Sequence, residues 1–184
     1  MKIFYTASFY GKDKYQKNYD LVLTAIKKTG VQITSPEKGN YKRMIPERVR
    51  VRLDDANLTH YEAIRRGILA ADAVIIEVSF QDIQIGYEAG LAVANKKPVL
   101  CLSIYEDFSQ KINNRYFFGA NYSDLNIEEI VGEFIDRVKK KRLEERFNMF
   151  LSTSQGQYLE KRAREEGMTK SEYLRELIDR DKMK

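Results

Sequence analysis

Residues 72–102 constrain the fold most strongly, because they read in turn as a strand, a loop, a helix and a second strand. The apolar run 73–78 is too short for a helix and does not alternate with polar residues, which indicates a strand buried on both faces. A helix over 86–95 ends at a Lys-Lys-Pro sequence, and a second strand follows over 99–102. This β-α-β crossover predicts a parallel sheet. Ligands bind such sheets outside the carboxyl ends of the strands, which here places them at the loop 79–88.

The same alternation continues on both sides of this crossover. A helix over 14–29 is predicted to end at Gly30, and a helix over 57–71 to begin with a Thr59 and Glu62 capping box. We therefore predict an α/β fold, a doubly wound, flavodoxin-like parallel sheet of about five strands, over residues 1–142. The remaining predicted elements are strands over 2–5 and 31–34, loops over 35–52 and 103–123, and a helix over 124–142.

Composition limits the function classes. The 184 residues include one cysteine and one histidine, which makes a zinc site very unfavourable, and no metal is predicted. Cys101 lies between leucines and is interpreted as an inert buried thiol, while His60 is interpreted as a surface or capping residue. No apolar run approaches the ~18 residues of a membrane span and no signal peptide is recognisable, so a cytoplasmic protein without membrane contact is expected.

Positive charge is concentrated at one end of the chain. Residues 137–184 hold 14 Lys and Arg against 9 Asp and Glu, whereas residues 1–136 hold 18 of each sign. A polyanionic partner would therefore meet the C-terminal end. The alternative interpretation is a solvated helix with internal ion pairs.

Glu88 is the candidate reactive group. It lies near the predicted start of the helix over 86–95, where the helix dipole and free amides would favour the carboxylate. A carboxylate in a cleft can attack an electrophilic carbon such as the anomeric carbon of a nucleoside, and a proton donor would assist the departing base. From the pattern alone, a purely electrostatic role for Glu88 at the helix start is the alternative.

Residues 1–138 resemble the nucleoside 2-deoxyribosyltransferase family, which includes deoxynucleotide N-hydrolases. The resemblance rests on Ala71-Asp72 before an apolar strand, then on Gly86-Tyr87-Glu88-Ala89-Gly90, then on Lys97-Pro98-Val99-Leu100. It implies that Glu88 attacks the deoxyribose C1′ and displaces the base without a cofactor. Tyr87 is expected to orient Glu88, with simple packing beside the helix start as the alternative.

Further site residues follow from the same resemblance. Asp82, six residues before the glutamate, would contact the sugar 5′-hydroxyl and would repel a 5′-phosphate. Asn114, five residues before Gly119, would be supplied by a neighbouring subunit. The simpler interpretations are a loop acid for Asp82 and a turn residue for Asn114. Tyr5, Ser8 and Gly86 complete the expected substrate-binding set.

The sequence departs from the family at one catalytic position. The family's proton-shuttling aspartate lies eight residues before the Asp of the Ala-Asp pair, and Ile64 stands there. Glu62 is the expected replacement, with Asp54 or Asp55 as alternatives. The first strand also reads Phe4-Tyr5 where the family usually has Tyr-Phe. A site that binds a nucleoside without reacting is therefore a further alternative.

Residues 145–184 are predicted to form a separate unit that resembles a ribbon-helix-helix domain. A strand over 146–151 precedes a helix that is capped by Ser152 and Gln155 and ends at Gly167, and Thr169 with Glu172 caps a last helix. So few residues cannot bury a core alone, which implies a partner chain. The resemblance implies that Arg146, Asn148 and Phe150 enter the DNA major groove and that Lys170 contacts a phosphate. The alternative is a dimerisation clamp without DNA contacts.

Two functional hypotheses follow. The first is an enzyme that cleaves or exchanges the N-glycosidic bond of a 2′-deoxynucleoside through Glu88. The second is a DNA-binding regulator whose α/β domain only senses a nucleoside or nucleotide. Both hypotheses expect a homodimer or a higher even oligomer.

Overall fold

The computed structural model describes residues 1–51, 53, 55–141 and 149–182. The chain divides into two compact units, Met1–Glu144 and Glu145–Lys184. Within the described part of the chain, no helix is both long enough and apolar enough to cross a membrane. The described residues also contain no group of three or more His, Cys, Asp or Glu placed to hold a metal ion.

The first unit is built on a five-stranded parallel sheet with the order β2-β1-β3-β4-β5. Its central pairs follow the predicted crossover: Ile3 of β1 lies opposite Ala73 of β3, and Val74 of β3 lies opposite Val99 of β4. The predicted fold class is therefore confirmed. The strand order reverses between β1 and β3, which makes their carboxyl ends the expected place for a ligand. The strands are β1 (Lys2–Ala7), β2 (Gln32–Thr34), β3 (Ala73–Glu77), β4 (Val99–Ser103) and β5 (Phe117–Asn121).

Helices cover both faces of the sheet because the strand residues alternate in direction. Tyr5 and Ile75 pack among residues of α1 and α5, whereas Phe4 and Ile76 pack among residues of α3 and α4. The helices of this unit are α1 (Lys12–Lys28), α2 (Glu47–Arg50), α3 (Ala56–Ala70), α4 (Ile83–Ala94) and α5 (Ile127–Lys141), with 3-10 turns at Tyr41–Met44 and Phe108–Gln110.

Two predicted loops contain regular structure. The interval 35–52 holds the 3-10 turn Tyr41–Met44 and helix α2, with Tyr41 and Ile45 buried in the core beside α3. The interval 103–123 holds the edge strand β5, most of whose residues are only partly buried. Gly119 in β5 allows a close approach, since a Cβ there would lie 2.6 Å from the amide nitrogen of Ser109. The prediction of an irregular loop over 35–52 is therefore wrong where the 3-10 turn and α2 lie, and the prediction of a loop over 103–123 is wrong where β5 lies.

The predicted cap of α3 is also wrong. Asp55 is the N-cap, and its Oδ1 accepts hydrogen bonds from the amides of Asn57 at 2.6 Å and Leu58 at 2.9 Å. Thr59 lies inside the helix and donates its hydroxyl to the carbonyl oxygen of Asp55. Aspartate and threonine are both favoured N-cap residues. Asp55 immediately precedes the helix, so its side chain accepts the hydrogen bonds of the free amides.

Gly67 of α3 allows the helix to lie against β1. A Cβ at this position would lie 2.6 Å from Cδ2 of Phe4, a side chain that is fully buried in the core. We expect Gly67→Ala to lower the free energy of unfolding by about 1–3 kcal/mol, although alanine favours helix. Urea denaturation measures this change.

Gly132 of α5 provides the matched control for Gly67. A Cβ at Gly132 would meet no atom within 4 Å, so Gly132→Ala should raise the free energy of unfolding by about 0.5–1 kcal/mol. Equal effects of the two substitutions would show that the contact with Phe4 does not determine the outcome.

The second unit contains two helices, α6 (Thr153–Glu165) and α7 (Lys170–Lys182). The predicted capping box of α6 is present, with Ser152 and Gln155 each bonding the backbone of the other, and Gly167 follows the helix with φ +69°. The buried core of this unit is Leu159, Ala163 and Tyr173. Met149, Phe150 and Leu151 form neither helix nor strand. A two-stranded ribbon draws one strand from each of two chains, so a single chain cannot form it.

Candidate active site

The candidate site lies at the carboxyl ends of β1 and β3. Thr6 and Ser8 come from the end of β1, and the loop after β3 leads into α4. Thr6 and Ser8 are both buried, at 2% and 1% exposure. Helices α3 and α4 pack against each other, and residues of both helices line a cavity together with Thr6 and Ser8. The strand reversal between β1 and β3 therefore brings polar groups from distant parts of the chain together.

Asp82 begins α4 and joins it to the end of β1. Its Oδ1 accepts a hydrogen bond from the amide of Ile85 at 2.9 Å, and its Oδ2 accepts one from the hydroxyl of Ser8. The helix starts at Ile83, three residues before the predicted start at Gly86, because aspartate is a strong N-cap residue. The structure thus brings together two of the predicted substrate-binding residues, Asp82 and Ser8.

Glu88 lies in the second turn of α4 and is 1% exposed. Its Oε1 accepts a hydrogen bond from Nε2 of Gln84 at 3.0 Å, while its buried Oε2 has no hydrogen-bond partner of ordinary geometry among the described residues. Burial raises the pKa of the Glu88 carboxyl to about 7, against the lowering effect of Gln84 and Thr6. The prediction that free amides at a helix start favour the Glu88 carboxylate is therefore wrong, because burial dominates and the free amides lie one turn earlier.

Two adjoining cavities lie at this edge of the sheet, and Glu88 lines one of them. One, of about 210 Å³, is lined by Thr6, Ser8 and Asp82. The other, of about 280 Å³, is lined by Glu88 and Tyr87. Each is smaller than the ~300 Å³ lower limit typical of pockets for drug-sized ligands. The two cavities share the side chains His60, Ile64 and Gln84.

A third, mostly apolar cavity of about 370 Å³ contains two other predicted site residues, Gly86 and Asn114, together with Asp82. Asn114 is exposed, and its Oδ1 accepts a hydrogen bond from the amide of Tyr116 at 2.9 Å. Neither Gly86 nor Asn114 lines the two cavities beside Glu88. Within one chain, the structure does not bring Asn114 to Glu88.

Tyr5 and Tyr87 have partners other than Glu88. Tyr5 is fully buried on the α1 and α5 side of the sheet, and its hydroxyl donates to the carbonyl oxygen of Tyr19 at 2.9 Å. Tyr87 lines the same cavity as Glu88, and its hydroxyl lies 2.8 Å from that of Tyr61. Tyr5 therefore does not face this cleft, whereas Tyr87 forms part of its wall.

Neither Glu62 nor Asp55, two of the expected replacements for the family aspartate, lines a cavity with Glu88. Glu62 accepts hydrogen bonds from Arg65 and Arg66, and the bond from Arg65 contributes most to lowering the pKa of its carboxyl. A carboxyl held ionised in this way is a poor proton donor. Asp55 caps α3, and Asp54 lies outside the described residues.

His60 is the site residue that sequence reasoning missed. Its Nδ1 lies 2.9 Å from the hydroxyl of Tyr41, and its Nε2 lies 3.1 Å from Nε2 of Gln84. Burial lowers the pKa of His60, and the charge of Lys42 lowers it further. The signal in the sequence was spacing. His60 is four residues before Ile64, which stands at the position of the family's aspartate, so the two residues lie on the same face of α3.

The predicted DNA contacts are only partly described. Phe150 is fully exposed, and Lys170 begins α7 with its Nζ 3.4 Å from Oε2 of Glu160. Arg146 and Asn148 lie outside the described residues. The ribbon-helix-helix interpretation and the DNA role stay predictions.

The fold and the site define a class: an α/β protein with a buried glutamate beside small cavities at the carboxyl edge of a parallel sheet. A family model described as nucleoside 2-deoxyribosyltransferase matches residues 4–146. The chain belongs to this family.

The individual relatives match this chain either over only part of its length or at low sequence identity. The 5-hydroxymethyl-dUMP N-hydrolase of Danio rerio is 30% identical over 79 residues, which are 38% of this chain and 54% of that protein. The chain thus spans about half the length of this curated relative. The structure of a Clostridium botulinum CMP N-glycosidase is similar with a TM-score of 0.42 and 14% identity, over 78% of this chain and 99% of that chain.

Proposed function

We propose that this protein cleaves or exchanges the N-glycosidic bond of a 2′-deoxynucleoside, with Glu88 as the nucleophile. The observation that carries the proposal is the buried Glu88 carboxyl, which lines a cavity and keeps one oxygen without a hydrogen-bond partner among the described residues. Strongly shifted carboxyl groups in clefts are typical of reactive sites. Membership of the nucleoside 2-deoxyribosyltransferase family supports the same chemistry.

The proposed reaction has two displacements at C1′ of the sugar. The Glu88 carboxylate forms a bond to C1′ while the C1′–N bond breaks, and the bonding electrons leave with the base, which takes up one proton. Water or a second base then attacks C1′ and gives up one proton, which releases the carboxylate. No redox cofactor is needed in this scheme. A pKa of about 7 means that about half of the ligand-free molecules carry the carboxylate at neutral pH.

A panel of 2′-deoxynucleosides and their 5′-monophosphates tests the proposal by base release. The proposal predicts release that depends on Glu88. The regulator hypothesis instead predicts no turnover, together with salt-sensitive DNA binding that is lost in Arg146→Ala.

Asp82 is proposed to select free nucleosides over 5′-monophosphates. Its carboxylate lies in the cavity with Ser8, where the charge of a 5′-phosphate would be repelled. The Danio rerio relative is named for a monophosphate substrate, so the choice between nucleosides and their 5′-monophosphates is the preference to test. We expect Asp82→Ser to raise the ratio of monophosphate to nucleoside turnover about tenfold or more, since serine keeps the helix cap and removes the charge.

Ser8→Ala is the matched control for Asp82→Ser. It removes the other half of the hydrogen-bonded pair and leaves the Asp82 charge in place. Turnover of free nucleosides should fall in Ser8→Ala without a change in preference. A similar ratio for the wild type and Asp82→Ser would show that Asp82 does not exclude the phosphate.

Asn114 is proposed to act in the site of a second copy of the chain. In one chain it is exposed and lines a different cavity from Glu88, as expected for a side chain offered to a neighbour. Homodimers of Glu88→Ala and of Asn114→Ala should each lose base release. A mixed dimer, co-expressed with two tags and isolated, should recover about half of the wild-type activity, because one of its two sites is intact. A mixed dimer without activity would place Asn114 in the site of its own chain, and an active Asn114→Ala homodimer would place it outside the site altogether.

A further inference from the structure

We infer that His60 is a positioning residue for Glu88 and acts through Gln84, an assignment that rests on the proposed function. Three side chains from two helices carry it: His60 from α3, and Gln84 and Glu88 one turn apart on α4. Nε2 of Gln84 lies 3.0 Å from Oε1 of Glu88 and 3.1 Å from Nε2 of His60. One amide group therefore connects the histidine to the candidate nucleophile.

The donor inventory fixes the direction of these hydrogen bonds. An amide nitrogen only donates, so Nε2 of Gln84 gives one hydrogen to Glu88 and the other to His60. His60 must then accept at Nε2, which places its own hydrogen on Nδ1. The hydroxyl of Tyr41, 2.9 Å from Nδ1, can accept that hydrogen. Tyr41 and His60 together thus hold Gln84 with its nitrogen towards Glu88.

This orientation matters for the Glu88 carboxylate. The hydrogen bond from Gln84 favours the ionised form, which is the nucleophile, against the burial that disfavours it. Without an acceptor at His60, the amide is free to rotate and to present its oxygen to Glu88. An amide oxygen would repel the carboxylate and favour the protonated, unreactive form. Protonated His60 could no longer accept from Gln84 and would have the same effect.

Other charged and titratable groups surround this pair and must stay constant in a test. They come from all of the elements packed around it: Lys12 of α1, Glu37 after β2, Tyr41 and Lys42 of the 3-10 turn, Tyr61 and Arg65 of α3, and Asp82 and Tyr87 of α4. The substitutions below therefore change only His60 or Gln84.

The first test is the pH dependence of kcat/KM for base release. His60→Leu removes the acceptor, Gln84→Leu removes the donor, and His60→Gln keeps an acceptor oxygen near the position of Nε2. We expect the acid limb to move up by about one pH unit in both leucine variants and to stay in place in His60→Gln. The double variant should match Gln84→Leu alone, because His60 acts only through Gln84. An unchanged limb in His60→Leu, or additive shifts in the double variant, would overturn the inference.

The second test needs neither turnover nor a stable variant of His60. His60 is the one histidine in the 184 residues, so ¹⁵N NMR of the untagged wild-type chain reports its ring without ambiguity. We expect the neutral ring to carry its hydrogen on Nδ1, and its Nε2 shift to respond to the titration of Glu88 near pH 7. This response should vanish in Glu88→Gln. A neutral ring with its hydrogen on Nε2 would overturn the inference.

The two tests separate failure of the inference from failure of the proposed function. The NMR coupling without base release would support the link between His60 and Glu88 and contradict the enzymatic role. Glu88-dependent base release without the coupling would support the enzyme and overturn the role of His60.

Discussion

Glu88→Gln is expected to lower the rate of base release by about 10⁴-fold, because an amide cannot act as the nucleophile at C1′. The substitution preserves the size of a side chain that is 1% exposed, and the amide oxygen can still accept the hydrogen bond from Gln84. Loss of activity would therefore reflect chemistry and not a collapsed site. Chromatographic separation of free base from nucleoside measures the rate.

Glu62→Gln is the matched control for this loss. It makes the same chemical change at a carboxylate that pairs with Arg65 and Arg66 and lines neither cavity beside Glu88. We expect base release within about tenfold of the wild type, since the cost is limited to partly exposed ion pairs. Substantial activity in Glu88→Gln would contradict the role of Glu88 as the nucleophile, and loss of activity in Glu62→Gln alone would transfer the catalytic role to Glu62.

The second large effect is on stability and depends on pH. Burial raises the pKa of Glu88 from 4.5 in a model peptide to about 7 in the folded protein, so the folded state binds a proton that the unfolded state has lost. The resulting stabilisation is fully present below pH 4.5 and disappears as the pH rises through 7. A shift of this size corresponds to about 3 kcal/mol. Between pH 4.5 and 7, the free energy of unfolding of the wild type should therefore fall by about 3 kcal/mol relative to that of Glu88→Gln.

Urea denaturation at a series of pH values measures this difference. Glu77 is also a buried carboxyl with a raised pKa, owing to burial, but it is present in both proteins and cancels in the comparison. Parallel stability curves for the wild type and Glu88→Gln between pH 4.5 and 7 would show that Glu88 is not protonated in the folded protein as burial requires.

The central part of the fold was predictable because its signals are local. The unbroken apolar strand 73–78 and the Lys-Lys-Pro stop before β4 identify the crossover without any knowledge of distant contacts. Strand β5 was missed because it is an edge strand that contains a glycine and is only partly buried, so neither alternation nor an apolar run marks it. The start of α4 was missed because Asp82, the true cap, precedes the glycine that was taken as the start.

Residues of the candidate site could be predicted only where the spacing of the family motif indicates them. Glu88 and Asp82 lie at the edge of the sheet that the position of the motif after β3 implies, and Ser8 at the end of β1 is hydrogen-bonded to Asp82. The contacts of His60 could not be predicted, because they join residues 19 and 24 positions apart in the sequence. Contacts between residues so far apart in the sequence produce no periodic pattern. The pKa of Glu88 was also beyond prediction, because it depends on burial and not on the helix position.

Trapping of the glycosyl-enzyme tests the central claim most directly. A 2′-fluoroarabinosyl nucleoside has an electron-withdrawing fluorine that slows the breakdown of an ester at C1′, so the intermediate should accumulate. Peptide mass spectrometry should then find the fluorosugar bound to Glu88 and should find no adduct in Glu88→Gln. Base release from the natural substrate by wild-type protein that forms no adduct, or an adduct on another residue, would contradict a Glu88 nucleophile.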